Sequence, residues 1–493
     1  MNIKNINPRS PEFLLTASII ILSLLYIASI FWRYPNGDEG LQAEHIYFLN
    51  NLGYVKSDIW AGYEFGWDIR QFHYHKGIVL LGLFATKLFG FSLPAIRIVS
   101  VIFYLWFTLL LYKYLKDTGH KKAELIYKIS LLVLLVNTIF YEYIFIFRPE
   151  VMMMTLGFAS FYHIDKGLKQ NKVKFIISGG VFAGLAALMH LIGLTIMVAG
   201  GLTILFRKNI KFAIIFSVFA ILALCIYFYD LLSKQAFDGF VFQFFNEASI
   251  ANKQESPFGK VLEEHMRFFN SPKEILFSLI FFLSLVVNFN YLRKNFFNLL
   301  VFGLGSIVAL AFLAPNTTNK YALLYYPFMG VVIALSIVRL KEFKKTLQVF
   351  VLIFLALFTG YHLYLTGKMI TNGVNIKKQN EEIAAKLPEK NVNIFAAESF
   401  VFNQIENYTI HSWLAFHRYY TKRQPGYKPT RSDFMLFCDK LDDKYILFEK
   451  ALFGNELFHY LEPDKIKVGD VWDMYEVIVS EPELLILENT RLK

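Results

Sequence analysis

The sequence predicts an α-helical polytopic membrane protein with about eleven transmembrane helices and a small C-terminal α/β domain. Three observations predict this fold class. The 493 residues are 55% hydrophobic and only 18% charged, whereas soluble domains carry roughly 25% charged residues. The apolar residues fall in runs of about 20, the length that crosses a bilayer as a helix. Residues 368–493 are the one long region without such a run.

The predicted spans follow one another along residues 1–367. The first covers residues 13–32, and we interpret it as a retained anchor because it has no small-residue cleavage site. The others cover 94–115, 124–147, 149–165, 173–189, 191–206, 211–232, 273–291, 296–314, 320–339 and 345–366. The segment KGIVLLGLFATKLFGFS (76–92) is shorter and contains Lys87, so we expect an interfacial helix there.

The basic residues predict which side of the membrane each loop occupies. If the N-terminus is cytoplasmic, every short inner loop carries Lys or Arg, whereas the short outer loops carry only Arg148 and Lys320. This distribution agrees with the positive-inside rule. We therefore expect a first outer loop at 33–93, a large outer loop at 233–272, and an extracytoplasmic domain at 368–493.

Short patterns predict the secondary structure of the C-terminal domain. NIKKQNEEIAAKLPEK (375–390) predicts a helix that ends near Pro388. NVNIFAAE (391–398), KYILFEK (444–450) and DMYEVIVS (473–480) predict strands, because β-branched and aromatic residues are enriched in them. A domain of about 120 residues has an ordinary size.

Composition also excludes some classes of function. The net charge of +11 would suggest a nucleic-acid partner in a soluble protein, but here the cations lie between apolar runs and have a topological cause. We expect no nucleic-acid partner. Two cysteines are too few for a zinc cluster, and Cys225 lies in an apolar run while Cys438 lies in a polar one. A disulfide between them is not expected.

Two adjacent acids, Asp38 and Glu39, follow the first predicted span in YPNGDEGLQAEHI (34–46). A capping box explains Glu39, with Asn36 as the N-cap residue. It explains Asp38 less well, because adjacent helical side chains point about 100° apart. We therefore regard Asp38 as the principal candidate for a catalytic base and Glu39 as a second candidate.

Further acids and cations lie at the predicted outer ends of spans. Arg148 and Glu150 belong to FRPEVMMM (147–154), and Pro149 between them suits a first helical turn. Lys76, His190 and Lys320 complete the set. Each has a simpler explanation as an interfacial anchor or a snorkelling side chain. Together they suit a site where cations bind a lipid phosphate and a carboxylate activates a nucleophile.

The order of these motifs resembles a known superfamily. DEG…AEHIYFLNNLGY, YHKGIVLLGLFATKLFGFSLPAIRIVS and RPE are similar to motifs of the polyprenyl-phosphate-dependent C-type glycosyltransferases. The most similar branch is that of the bacterial protein mannosyltransferases, which includes the lipid A aminoarabinose transferases. The resemblance covers roughly the first 200 residues. The matching residues are Asp38-Glu39, Tyr74-His75-Lys76, Arg97 and Arg148-Pro149-Glu150. Two residues depart from the pattern, since Gly77 replaces a proline and Glu150 an aspartate.

The resemblance implies an integral-membrane glycosyltransferase of the bacterial inner membrane. It would move a sugar from a polyprenyl-phosphate donor to an acceptor hydroxyl of a lipid, glycan or protein on the extracytoplasmic face, with inversion. The implied catalytic residues are Asp38, Glu39 and Glu150. The implied substrate-binding residues are Tyr74, Lys76, Arg97 and Arg148. His190 and Lys320 are added as candidates because of their positions at predicted outer ends of spans.

Three alternatives stay open from the sequence. A divalent metal ion is one, with Asp38, Glu150 and His75 as candidate ligands. A polymerase or ligase of surface polysaccharide would also use lipid-linked sugars. A lipid or sugar transporter (a flippase) is the non-enzymatic alternative, but transporters tend to place ionisable residues at mid-membrane. The predicted spans of this chain are nearly free of acids.

Overall fold

The structure, a computed structural model, describes residues 10–246, 257–314, 317–424, 426–449 and 466–492. It has a helical part up to residue 371 and a sheet-containing part after residue 375. The predicted outer loop at 233–272 and the predicted domain at 368–493 are described except for residues 247–256, 425, 450–465 and 493.

The helical part begins at residue 11, and two of its helices, α2 and α3, belong to the predicted first outer loop. The described helices are α1 (Pro11–Ala28), α2 (Gly37–Leu52), α3 (Lys76–Phe89), α4 (Leu93–Asp117), α5 (Ala123–Val136), α6 (Thr138–Ile144), α7 (Pro149–Gln170), α8 (Val173–Met189), α9 (Leu194–Phe206), α10 (Ile210–Leu224), α11 (Lys234–Asn246), α12 (Pro257–Glu263), α13 (Met266–Phe269), α14 (Pro272–Asn295), α15 (Phe297–Leu313), α16 (Tyr326–Val338) and α17 (Lys345–Thr371).

Long apolar helices confirm a polytopic membrane protein. Within the described residues, six helical stretches are long and apolar enough to cross a membrane, or seven if α5 and α6 form one bent span. The six are Pro11–Phe31, Leu93–Asp117, Ile210–Phe228, Pro272–Asn295, Asn319–Val338 and Lys345–Ala384. The helices α8, α9 and α15 are apolar but shorter. Every predicted span contains helix, whereas the count of about eleven crossings stays a prediction.

The predicted span over 124–147 contains a sharp bend. The chain bends by 81° between α5 and α6. Asn137 causes the break, because its backbone is extended and its side-chain oxygen accepts hydrogen bonds from the amides of Ile139 (2.8 Å) and Phe140 (3.2 Å). This is an N-cap, which starts a new helix in a new direction. The bend brings Arg148, at the start of α7, close to the first turn of α2.

The sheet-containing part starts with α18 (Ile376–Ala384), which agrees with the helix predicted before Pro388. Its strands are β1 (Val392–Ala396), β2 (Tyr408–Ser412), β3 (Asp443–Glu449), β4 (Val471–Trp472), β5 (Tyr475–Glu481) and β6 (Leu484–Asn489). They form one sheet in the order β2-β1-β3-β6-β5-β4. The β1 strand pairs in parallel with β2 and β3, and the other pairs are antiparallel. The three predicted strands correspond to β1, β3 and β5.

The sheet-containing part packs directly on the first turns of α2. A β-carbon added to Gly40 would lie 2.2 Å from the carbonyl oxygen of Glu398, so only glycine permits this approach. Tyr63, from the segment that connects α2 to α3, lies in the same buried core as Phe416 and Phe437 of the C-terminal part. The C-terminal part therefore covers the helix that carries Asp38 and Glu39.

Candidate active site

Glu39 is fully buried and bound on all sides. Its carboxylate accepts hydrogen bonds from Nε and Nη2 of Arg97 (2.7 and 2.6 Å). It also accepts from the amides of Phe147 (2.8 Å) and Asn36 (2.9 Å), so the predicted capping box is confirmed. Burial raises the pKa of Glu39, but Arg97 and the two amides outweigh it and hold the pKa below its ordinary value. Glu39 therefore ties together α2, α4 and the segment before α7.

Arg97 completes this buried connection. Its Nη1 donates to the carbonyl oxygens of Ile30 (3.0 Å) and Arg33 (2.8 Å), and the side chain is fully buried. Because Arg97 and Glu39 have no open face, neither can contact a substrate without unfolding this region. For both residues we propose a structural role in place of the catalytic and substrate-binding roles predicted from the sequence.

Asp38, one residue away, has the opposite environment. Its side chain is 42% exposed and forms an ion pair with Nη1 of Arg148. The same guanidinium binds Glu150 through Nε (3.1 Å) and Nη2 (2.9 Å), and Nη1 also donates to the Asn36 side chain (3.0 Å). Arg148 thus holds the carboxylates of Asp38 and Glu150 on its two edges. Glu150 itself is buried, so Asp38 is the acid of this group that solvent reaches.

Asp38 and Arg148 open into a cavity of about 380 Å³. Lys320 also lines this cavity, and it lies on a short helical turn before α16 (Asn319–Tyr325). Within the described part of the chain Lys320 has no carboxylate within ion-pair distance, and its ammonium lies 5.3 Å from the Tyr321 ring centroid. The cavity therefore joins an accessible carboxylate to two cations contributed by distant parts of the sequence.

Three further lining residues of the cavity were not predicted from the sequence. Glu274, in the first turn of α14, accepts a hydrogen bond from the Asn319 side chain (2.6 Å), and Asn319 in turn accepts from the Tyr143 hydroxyl (3.3 Å). All three line the cavity. The signal that could have found Glu274 is the one used for Asp38, an acid at the predicted outer end of an apolar run.

Lys76 lies in a separate, closed cluster. It is fully buried, forms an ion pair with Asp230, and its ammonium lies 4.8 Å from the ring centroid of Tyr227. The Tyr74 hydroxyl contacts Asp230 (3.2 Å) and Tyr229 (3.0 Å). Burial lowers the pKa of Lys76 below its ordinary value, and Asp230 opposes that change. Asp230 was not predicted, although it too follows an apolar run.

Two histidines lie between the cation groups. The rings of His75 and His190 stack with centroids 4.3 Å apart, and His190 meets Tyr321 at 5.6 Å. His190 occupies the turn after α8, as predicted, and its Nδ1 accepts from the Ile192 amide (3.0 Å).

The residues do not fit the divalent ion considered from the sequence. A metal that bridged Asp38 and Glu150 would need the position that the Arg148 guanidinium fills. Among the described residues, no three His, Cys, Asp or Glu side chains form a group that could hold a metal ion. Arginine, not a metal ion, therefore balances these two carboxylates. Cys225 and Cys438 are both free thiols.

Comparison with known proteins identifies chains of similar fold. The family model of dolichyl-phosphate-mannose-protein mannosyltransferases matches residues 79–232. ArnT from Cupriavidus metallidurans, in a crystal structure bound to undecaprenyl phosphate, superposes with a TM-score of 0.63 at 10% identity, over 97% of this chain and 98% of that one. The chain has the fold of the C-type glycosyltransferases.

Other structures with the C-type fold match over most of the chain. The apo oligosaccharyltransferase of Archaeoglobus fulgidus gives a TM-score of 0.53 at 12% identity, over 90% of this chain and 71% of that one. AglB from the same organism, in complex with an inhibitory peptide and a dolichol-phosphate, gives 0.51 at 11% identity, over 90% and 70%. No curated protein matches this chain significantly in sequence. The resemblance predicted from the motifs is confirmed at the level of the fold.

Proposed function

We propose that this protein transfers a sugar from a polyprenyl-phosphate donor to an acceptor hydroxyl on the extracytoplasmic face of a bacterial plasma membrane. The observation that supports it best is the cavity where the exposed carboxylate of Asp38 lies beside the cations Arg148 and Lys320. Similar folds bind undecaprenyl phosphate or dolichol-phosphate, and these lipids are the leaving groups that such a reaction releases.

In this proposal the cations receive the donor phosphate. The phosphate leaves as an anion, so the reaction needs positive charge more than a general acid. Lys320 has no ion-pair partner among the described residues and is therefore available, while Arg148 contributes a guanidinium suited to phosphate. Lys76, predicted for the same role, would have to exchange Asp230 for the phosphate.

Asp38 acts as the base. A phosphate that draws on Arg148 weakens the hold of Arg148 on Asp38, so donor binding and release of the base are coupled. Asp38 then takes the proton of the acceptor hydroxyl. The acceptor oxygen bonds to the anomeric carbon, and the bond from that carbon to the phosphate oxygen breaks, with its electron pair leaving on polyprenyl phosphate. Attack opposite the leaving group inverts the anomeric centre.

The test is an assay of the purified full chain with a panel of undecaprenyl-phosphate sugars, measuring the release of undecaprenyl phosphate. We expect release from at least one donor, and loss of release in Asp38→Asn. A flippase would instead move the intact lipid across proteoliposomes without breaking the anomeric bond, and a polymerase or ligase would require a multi-sugar donor. Transport of uncleaved donor would overturn the proposal.

A further inference from the structure

A second cavity, of about 360 Å³, lies in the C-terminal part and shares no lining residue with the candidate active site. Aromatic rings form its wall. Tyr420 and Tyr427 stack with centroids 5.4 Å apart and an interplanar angle of 24°, and Tyr419 meets Phe437 at 6.2 Å. The volume lies in the range of small-molecule pockets, about 300–1,000 Å³. We call it the tyrosine cavity.

The first outer loop closes one side of the tyrosine cavity. Gly62 has a φ of +78°, and a β-carbon there would lie 3.0 Å from the Phe437 ring. Arg423 holds the loop in place, since its Nε donates to the Tyr63 carbonyl oxygen (2.9 Å) and its guanidinium lies 4.3 Å from the Phe65 ring centroid. The cavity is thus built at the seam between the two parts of the protein.

Polar groups are distributed among the rings. The Tyr427 hydroxyl donates to Asp433 (3.0 Å), and the Gln424 amide donates to the Tyr419 hydroxyl (3.2 Å). Lys440 also lines the cavity and is exposed. A sugar ring has an apolar C–H face and a rim of hydroxyl groups. Flat aromatic rings beside hydroxyl, amide and carboxylate groups match both features.

One segment beside the cavity, residues 417–431, is strongly basic. Residues 417–431 contain five Lys or Arg residues and no acid, namely Arg418, Lys422, Arg423, Lys428 and Arg431. None of the five lines the cavity, whose charged lining residues are Asp433 and Lys440, and Arg423 is paired with Glu64. The positive charge therefore acts on the approach to the cavity, where it favours ligands with negative groups. The charge therefore points to a sugar that carries phosphate or carboxylate substituents.

One helix connects the tyrosine cavity to the candidate active site. The helix α19 (Trp413–Arg418) leads directly into a π-helical turn (Tyr419–Arg423). The charge of Arg418 acts on Lys320, which lines the active-site cavity, while the next residue, Tyr419, lines the tyrosine cavity. Residues 413–423 therefore reach from the neighbourhood of Lys320 to the tyrosine cavity.

We propose that the tyrosine cavity binds a sugar unit of an anionic acceptor glycan, and that another unit of the same glycan presents its hydroxyl to Asp38. The role of the glycan as an acceptor rests on the proposed transferase function, but its binding to the tyrosine cavity does not.

The test uses the detergent-solubilised full chain on an array of immobilised neutral, phosphorylated and uronic-acid-containing oligosaccharides. We expect binding to anionic members. Tyr427→Ala should weaken it about tenfold, as loss of a tyrosine anchor commonly does, and Tyr427→Phe should keep most of it because the ring remains. Tyr427 is half exposed, so its loss leaves the core intact. The control is Tyr364→Ala, on the exposed surface of α17.

The outcomes separate this inference from the proposed function. Absence of glycan binding, binding to neutral glycans alone, or unchanged binding in Tyr427→Ala would overturn the inference. Donor hydrolysis without acceptor, measured as released undecaprenyl phosphate, should be equal in wild type and Tyr427→Ala. If the array binds but no donor is ever cleaved, the glycan site stands and its role as an acceptor site falls with the transferase function.

Discussion

The first turn of α2 has two faces, and they differ in almost every physical respect. Glu39 points into the protein, is fully buried, and meets Arg97 and two backbone amides. Asp38 points into the 380 Å³ cavity with its side chain 42% exposed, where Arg148 is its partner. Neighbouring acids of one motif therefore have different roles. The buried acid positions the helix, and the exposed acid is available for chemistry.

The largest expected effect is on the open face. Asp38→Asn keeps the shape of the side chain and removes its basicity, so transfer should fall by about 10²–10⁴-fold, the usual cost of losing a general base. Thermal stability should change little, because Arg148 keeps Glu150. Turnover and the unfolding temperature of the same preparation measure both. Asp68→Asn, an exposed acid of the same loop, is the matched control and should keep wild-type turnover.

If Asp38→Asn turns over donor within tenfold of wild type, Asp38 is not the base. The exposed face of α2 would then not supply the catalytic base, and Glu150 would be the next acid to test.

A change on the buried face of α2 should lower the stability of the fold. Glu39→Gln leaves the Arg97 charge buried without its carboxylate, which costs about 3–5 kcal/mol when a buried pair is broken. This revises the expectation from the capping box alone, in which glutamine would serve nearly as well. Urea or thermal unfolding measures it.

Replacing both Glu39 and Arg97 distinguishes the contribution of their ion pair from that of the helix cap. Glu39→Gln combined with Arg97→Met should recover part of the lost stability, since no unpaired charge remains. Additive losses in the double variant would show that the ion pair is not what holds α2.

Lys320 and Lys76 allow a second comparison between an open and a closed environment. Lys320 lines the open cavity and Lys76 is neutralised by Asp230. Lys320→Ala should raise the donor KM by about 10–100-fold, the range for a lost hydrogen bond to a charged group. Lys76→Met should raise it less. Lys368→Ala, an exposed lysine at the end of α17, is the control. A larger effect from Lys76→Met would move the phosphate site to the Lys76 cluster.

The smallest effect concerns pH and the domain that covers α2. Burial, and then the nearby carboxylate of Glu398, raise the pKa of Glu449 to about 7. A carboxyl with a raised pKa in the folded state binds protons more tightly than in the unfolded chain. Its contribution therefore favours folding at low pH and is lost as pH rises from its ordinary value of 4.5 toward 7. The unfolding temperature should fall by about 2–4 °C between pH 5 and 8.

Glu449→Gln isolates this contribution, because glutamine does not titrate. The variant should flatten the pH dependence and be at least as stable as wild type at pH 8. An unchanged slope in Glu449→Gln would assign the pH dependence to other groups.

Much of this fold follows from local patterns in the sequence. The capping box of Asn36 and Glu39, the helix start at Pro149 and the strands β1, β3 and β5 all depend on residues close in the chain. The strands β2, β4 and β6 were not predicted. The bend at Asn137 was also missed, because its apolar neighbours continue the pattern of a straight span on both sides.

The site depended more on distant contacts. Asp38, Arg148 and Lys320 of the cavity could be named one by one, since each lies at the predicted outer end of an apolar run, whereas Glu274 was missed. Which acid pairs with which cation could not be predicted. Arg97 binds Glu39 from 58 residues away, and Lys76 binds Asp230 from 154 residues away. Only packing of the helices decides which of two adjacent acids is buried and which cation is neutralised.

The most direct test of the central claim measures turnover and unfolding temperature side by side for Asp38→Asn and Glu39→Gln. The two variants should have opposite signatures. Asp38→Asn should lose transfer by at least about 10²-fold at nearly wild-type stability. Glu39→Gln should lose stability while its folded fraction, assayed well below its unfolding temperature, still transfers sugar. If instead Glu39→Gln is as stable as wild type and inactive, while Asp38→Asn is active, the two faces have been assigned the wrong way round.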